Sequence, residues 1–232
     1  MSGCESCSSG SCSSCSNGRV RDLPPGMLQA YKLNSPRSDG FLVWIEVEHR
    51  PEGPRIARVS EEILSRIREV NEGSRVWGVI FGHSELRPLR RELFSYGIET
   101  LYEVHDKRLV GFEPEAYADC LAKIIIRTEA AAVLMGATRR GKELAPRTAA
   151  RLEAGMEANC AGFGADGRDL DIEIGVQGRR CRAEYAHYPQ FATVVPGALP
   201  LGKPDTGRTG TVIYWQYEGD DLKDIVSSEY RA

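Results

Sequence analysis

A dominant charge is the first thing this sequence lacks. Its 30 Lys and Arg stand against 33 Asp and Glu, well mixed along the chain, for a formal net charge of −3. Without a basic field there is little to attract a nucleic-acid backbone, so no nucleic-acid partner is expected. Long apolar runs are missing too, and none approaches the roughly twenty residues that cross a bilayer. The first residues include Ser, Gly and Cys where a secretory signal would carry a basic region and an apolar core, so a cytoplasmic location is expected. Histidine is scarce: His49, His83, His105 and His187 lie far apart, with neither H-x-x-H nor H-E-x-x-H spacing, and read as satisfied structural residues rather than metal ligands. A nucleophile elbow is absent as well, because Gly-Val-Ile-Phe-Gly from Gly78 to Gly82 has no Ser at its centre, and hydrolase chemistry is left without support.

What is present starts with a distinctive tail. Residues 1–39 are loaded with Ser, Gly, Cys and Pro and have almost no apolar periodicity, so they cannot build a packed core unaided. Within them Cys4, Cys7, Cys12 and Cys15 form C-x2-C-x4-C-x2-C, while Cys120, Cys160 and Cys181 are scattered. Four thiolates this close can surround one metal centre, and soft sulfur ligands favour Zn, Cu(I) or an iron–sulfur cluster. The short intervals are nearer to those of ferredoxins than to the long central loops of zinc fingers, although the C-x2-C-x2-C-x3-C-P run is missing. Reduced thiols on a Ser/Gly tail, or a redox-active pair, are the other reading.

Between residues 40 and 200 the pattern is that of one α/β domain. An apolar run at 41–47 reads as a buried strand, and Ile56, Val59, Ile63, Ile67 and Val70 follow at helical spacing. Strands at 75–81 and 99–104 alternate with a short helix at 86–94, and Pro114 opens a helix to about residue 127. Such alternation predicts a parallel sheet covered by helices on both faces. After Leu152, short strands at 160–165, 170–176, 179–188 and 192–195 with Gly-rich turns predict a short antiparallel extension. Residues 201–232 hold a strand at 211–217 and an acidic, linker-like segment at 218–224.

The richest stretch runs from Val133 to Leu152. Its apolar strand, 131–135, breaks at Gly136 into a loop of glycine and cations, and a helix follows in which Leu144, Thr148 and Leu152 recur four apart. Pro146 falls early enough in that helix for its missing amide donor to cost little. A strand, glycine loop and helix leave backbone N–H groups unpaired at the helix start, facing the carboxyl edge of the sheet, where an anion or a nucleotide phosphate can accept from them. Arg139, Arg140 and Lys142 add positive charge there. The bland reading of the same loop, a tight turn with an architectural role only, is the stronger one. Arg179, Arg180 and Arg182 beside Cys181 are read first as the solvated side of a strand, and second as a phosphate patch.

Gly136-Ala137, Gly141, Lys142-Glu143-Leu144-Ala145-Pro146-Arg147 and Ala149-Ala150-Arg151-Leu152 resemble the segment found in the N-terminal domain of electron transfer flavoprotein alpha subunits. Downstream, Pro189-Gln190-Phe191-Ala192-Thr193-Val194-Val195-Pro196-Gly197 resembles the run that ends that domain, and the resemblance spans about residues 40–200. It implies a fold like that of the adenine nucleotide alpha hydrolases and an electron-transfer component rather than a bond-breaking catalyst. It also implies pairing with a beta-like subunit, with FAD shared with or held by a partner and AMP in the partner subunit. A dehydrogenase or other redox protein would be the electron donor. The family continues from about residue 202 into a flavin-binding domain, so another chain is expected to supply that domain here. On this reading Gly136, Thr138, Arg139, Arg140, Gly141, Lys142 and Arg147 are the candidate cofactor-shell residues, and a cluster on Cys4, Cys7, Cys12 and Cys15 would add a relay. Two alternatives stand: an adenine-nucleotide-binding module related to universal stress proteins, and a structural subunit of a larger oxidoreductase. The run from Pro189 to Gly197 argues against the first.

Overall fold

A strand with apolar residues on both faces has to sit in the middle of a covered sheet. The computed structural model describes residues 38–82, 86–106, 109, 111–174, 180–182, 185, 188–218 and 221–230 and places the first apolar run in that way. In chain order the elements are β1 (Asp39–Trp44), β2 (Val47–Arg50), β3 (Gly53–Ile56), α1 (Arg58–Val70), β4 (Val76–Gly82), α2 (Arg87–Ser95), β5 (Thr100–His105), α3 (Pro114–Thr128), β6 (Ala130–Gly136), α4 (Arg139–Arg151), β7 (Met156–Asp166), β8 (Asp169–Ile174), β9 (Arg180–Arg182), β10 (Gln190–Val194), β11 (Gly210–Glu218) and β12 (Asp221–Tyr230). The main sheet has the order β12-β11-β5-β4-β1-β6-β10-β7-β8-β9. From β11 across to β7 all neighbours run parallel, while β12 at one edge and β8 and β9 at the other are antiparallel.

Alternate residues of β1, with Ile45 just after it, feed two separate cores. Phe41, Val43 and Ile45 pack with Val59, Ile63 and Ile67 of α1 and Leu89 and Leu93 of α2. Leu42 and Trp44 pack with Tyr117, Leu121 and Ile124 of α3 and Leu144 and Ala149 of α4. The expected α/β architecture, a parallel sheet with helices on both faces and a short antiparallel extension, is therefore what forms. Polar anchors set the helix positions. Glu62, almost fully buried, accepts from Gly197 N at 2.8 Å, and Arg66 Nε donates to the Phe163 carbonyl at 2.8 Å, tying α1 to the far half of the sheet. Glu103, buried within β5, is gripped by Arg90 of α2 at 2.9 and 3.2 Å and by His105 Nε2 at 2.7 Å. Burial pushes the Glu103 carboxyl up, but those two partners outweigh it and hold the group below the usual carboxylate range.

Several sequence expectations need correction. The stretch between the first strand and α1 holds the hairpin β2–β3, a separate two-stranded sheet in which Ile56 is a strand residue rather than the start of the helix. β10 belongs to the parallel sheet between β6 and β7, not to the antiparallel extension, because its continuous buried run suits a strand with neighbours on both sides. Residues 221–230 form β12 where an acidic linker-like segment was expected; ladder bonding to β11 uses backbone groups, and an edge strand tolerates charge. The glycine loop is only Ala137 and Thr138, since Gly136 ends β6 and Gly141 lies in the first turn of α4. That earlier start puts Pro146 in the interior of α4, where the Lys142 carbonyl loses its donor; both residues are exposed, so water can replace it. The segment 1–37, with Cys4, Cys7, Cys12 and Cys15, lies outside the described residues, as do His83, Arg179 and His187.

Two features of this packing are testable. Gly141 approaches β6 so closely that a Cβ there would run into the Gly136 carbonyl oxygen. Gly141→Ala should therefore cost about 1–3 kcal/mol net of the helix preference for Ala, visible as a melting temperature lower by roughly 2–4 °C per kcal/mol. An unchanged melting temperature would refute the constraint. Glu61 of α1 shares a carboxyl–carboxyl hydrogen bond with Glu92 of α2, and burial first, then that neighbour, pushes its pKa from 4.5 up to about 7. The folded state thus holds the proton more tightly than the unfolded chain, so the contribution is complete below about pH 4.5 and is lost as pH rises through about 7. Between pH 4.5 and 7.5, wild type should lose about 1–2 kcal/mol more than Glu61→Gln in denaturant titrations, a figure discounted for a half-exposed site. Equal losses in the two proteins would remove the pair from the account.

Candidate functional site

The strand order reverses beside β1. Chain order runs outward through β4 and β5 on one side and then crosses to β6 on the other. The carboxyl ends of β1 and β6 are therefore the topological switch point, where open α/β sheets leave a crevice for ligands. Two short connections meet there: Ile45 and Glu46 after β1, and Ala137 and Thr138 after β6.

These connections are knotted together by side chains. Thr138 is the N-cap of α4, its Oγ1 accepting from Gly141 N at 3.0 Å and donating to Glu46 Oε2 at 2.6 Å. The Glu46 amide in turn donates to Ser60 Oγ of α1 at 3.1 Å, and Ala137 N donates to the Val194 carbonyl at 2.6 Å. The Glu46 carboxylate is placed at the amino end of α4, where the helix field favours negative charge. Gly136 allows α1 to close over this point, because a Cβ there would meet the Val59 side chain.

The expected site residues separate into three groups. Gly136, Thr138 and Gly141 come together as the backbone and cap of the β6–α4 connection. Arg139 and Lys142 lie exposed on the first turn of α4. Arg140 turns back over the Phe112 ring, 5.8 Å from its centroid, with Nη1 3.5 Å from the Val47 carbonyl. Arg147 lies farther along the helix and is engaged with Glu115 of α3 at 3.1 Å and Glu143 at 3.3 Å. Arg151 also pairs with Glu115, and these arginines hold the exposed Glu115 carboxyl below its ordinary range.

Sequence reasoning missed Glu46, which carries no motif; its only signal is that it follows a buried strand at the switch point. It also missed Trp44, Phe112 and Tyr117, which line a cavity of about 30 Å³ with Arg140. Of the histidines, His105 is satisfied by Glu103 as expected, whereas His49 is exposed on β2. Cys120 and Cys160 are buried thiols, and burial pushes the Cys160 thiol up to about 11. Among the described residues, no group of three or more His, Cys, Asp and Glu is placed to hold a metal, and no helix is long and apolar enough to cross a membrane.

Comparison with known proteins agrees with this geometry. The sequence model of the family described as "Electron transfer flavoprotein domain" matches residues 43–218. The chain is 31% identical over 177 residues to the electron transfer flavoprotein subunit alpha of Thermoanaerobacterium thermosaccharolyticum, covering 74% of this chain and 53% of that protein. It is also 31% identical over 164 residues to the corresponding subunit of Clostridium acetobutylicum, covering 68% of this chain and 48% of the relative. An acryloyl-CoA reductase electron transfer subunit beta from Anaerotignum propionicum is 31% identical over 126 residues, 53% of this chain and 34% of that one. The chain thus spans about half the length of the two alpha subunits. With the family match running from β1 to the end of β11, this chain belongs to the electron transfer flavoprotein domain family.

Proposed function

We propose that this chain is an alpha-type electron transfer flavoprotein subunit. It pairs in the cytoplasm with a beta-type subunit that carries AMP, and a further chain or segment supplies the FAD-binding domain. The complex passes electrons between a dehydrogenase or other redox protein and an acceptor. The observation that carries this reading is the family match across residues 43–218, which includes nearly the whole parallel sheet.

The site itself suggests how labour is divided. A diphosphate at the amino end of α4 would meet the Glu46 carboxylate and a cap already made by Thr138, so that position does not fit a dinucleotide phosphate. Gly136, Thr138 and Gly141 are accordingly architectural, and FAD is held mainly by the partner. Arg139 and Lys142, exposed at the same edge, remain to present positive charge toward a partner-held flavin or the partner surface. Arg140 and Arg147 are engaged within the chain. When bound, FAD supplies the electron chemistry, and this chain's residues position and bias it. A stand-alone adenine-nucleotide module is not favoured, since the family match includes the run from Pro189 to Gly197.

Cys4, Cys7, Cys12 and Cys15 form a separate element of the proposal, a thiolate set for an iron–sulfur cluster or Zn that would add a relay or a structural clip. Their spacing supports this, and nothing else in the chain duplicates it.

Co-expression of the full chain with a beta-type subunit and an FAD-domain chain should yield one complex with absorption bands near ~375 and ~450 nm. In that complex Arg139→Gln with Lys142→Gln should slow assembly about 3–10-fold at low salt, with the gap closing at high ionic strength. A chain that joins neither partner would overturn the assignment. Anaerobic purification followed by iron, zinc and sulfide analysis should find metal that is lost when the four N-terminal cysteines are changed to Ser. A metal-free wild-type chain would remove the thiolate site.

A further inference from the structure

Cationic side chains at the carboxyl edge of the sheet are not confined to α4. On the opposite face α1 and α2 both begin at that edge, and the hairpin strand β3 packs against α2. These three elements carry Arg55 on β3, Arg58 at the start of α1 and Arg91 on α2, all exposed. Elsewhere exposed arginines find a carboxylate, Arg50 in Glu48 and Arg208 in Asp205. Arg55 and Arg91 have no such partner among the described residues. Arg58, its side chain 76% exposed, touches only the buried Glu62, at 3.1 Å. Two further carboxyls stand close by. Glu61 lies in the field of Arg58, and Glu92 follows Arg91 on α2, yet these two are hydrogen-bonded to each other across the α1–α2 contact rather than to the arginines.

Carboxyls that bond each other leave the arginines around them open to an external counter-ion. We infer that this face, with Arg55, Arg58 and Arg91 grouped about the Glu61–Glu92 pair, docks the acidic surface of another protein. Guanidinium forks suit carboxylates, and opposite charge on the two surfaces speeds and orients their encounter. A lipid surface would call for apolar anchors as well. Val195 and Leu201, the large apolar side chains exposed among the described residues, belong to the connection after β10 and not to these elements. The carboxyl pair links docking to pH. Burial first, then Glu92, moves the Glu61 pKa from 4.5 up to about 7. Below that pH the pair keeps a proton; above it a second negative charge stands among the arginines and competes with the partner. Docking is therefore tighter on the acid side and draws a proton into the pair. The groups facing Glu61 are Arg58 and Glu62 on its own helix, Glu92 on α2, and Tyr96 after α2, whose phenol burial keeps neutral. His49, exposed on β2 beside β3, is a separate titratable group of the same hairpin. This inference concerns the chain by itself and does not rest on the flavoprotein reading; α4, with Arg139 and Lys142, covers the other face of the sheet.

The test is a titration of the ¹⁵N-labelled full chain with an acetylated hexaglutamate peptide at low salt, following the backbone amide signals. Signals of β3, the first turns of α1 and α2 should move and saturate. Arg55→Gln with Arg91→Gln should raise the half-saturating concentration about tenfold, whereas Arg139→Gln with Lys142→Gln should change it less than about twofold. Between pH 6 and pH 8 the wild-type chain should lose about threefold more affinity than Glu61→Gln, in which any contribution of His49 is retained. Shifts centred on α4, equal effects of the two double variants, or the same pH dependence in Glu61→Gln as in wild type would each overturn the inference. Sedimentation of the chain with phosphatidylserine–phosphatidylcholine vesicles, while the peptide leaves the signals unmoved, would assign the face to a membrane and overturn it as well.

Discussion

Because β1 is buried on both faces, every other part of the structure has to be arranged around it. Phe41, Val43 and Ile45 need a cover on one side and Leu42 and Trp44 a cover on the other, and only helices returning over both faces can provide it. Parallel neighbours then follow, because each strand has to be reached by a crossover through one of those helices. The switch point lies at β1 itself: β4 and β5 take one flank, β6 pairs on the opposite flank of β1, and β11 later takes the open edge of β5. The crevice at the carboxyl edge is thus a consequence of covering the core, before any ligand is considered.

What fills that crevice distinguishes this domain from a generic nucleotide binder. The helix N-terminus beside it is capped by Thr138 and faced by Glu46, so the chain supplies its own anion where such folds often seat a phosphate. The charges left over point elsewhere. Arg139 and Lys142 face outward, and Arg140 folds toward an aromatic cavity. This distribution is consistent with the proposed subunit, in which exposed charges would act at long range.

Much of the architecture was legible in the residues. Ile63 and Ile67 at helical spacing, the all-buried run of β6 and the glycine that ends it each carry a local signal that survives without knowledge of the partner element. Other features carry no such signal. The apolar run of β10 reads the same whether its neighbours are parallel or antiparallel, because burial on both sides erases the alternation that would report a half-exposed strand. The β2–β3 hairpin was hidden because four-residue strands are shorter than any window that shows a period. Pro146 was misplaced because the helix start depends on the Thr138 cap, which is recognisable only once Gly141 N is seen to bond it.

By itself the sequence determined the class of fold, the family and the thiolate spacing of its N-terminal segment, since each is written in order and interval along the chain. Tertiary structure alone decided which side chains share the switch point. Glu46 and Thr138 are 92 positions apart and hydrogen-bonded, and Trp44 and Arg140 line one cavity from different elements. The physical reason is that periodicity records only whether a residue is buried. Which residue it is buried against depends on strand order, and strand order is fixed by packing across the whole sheet.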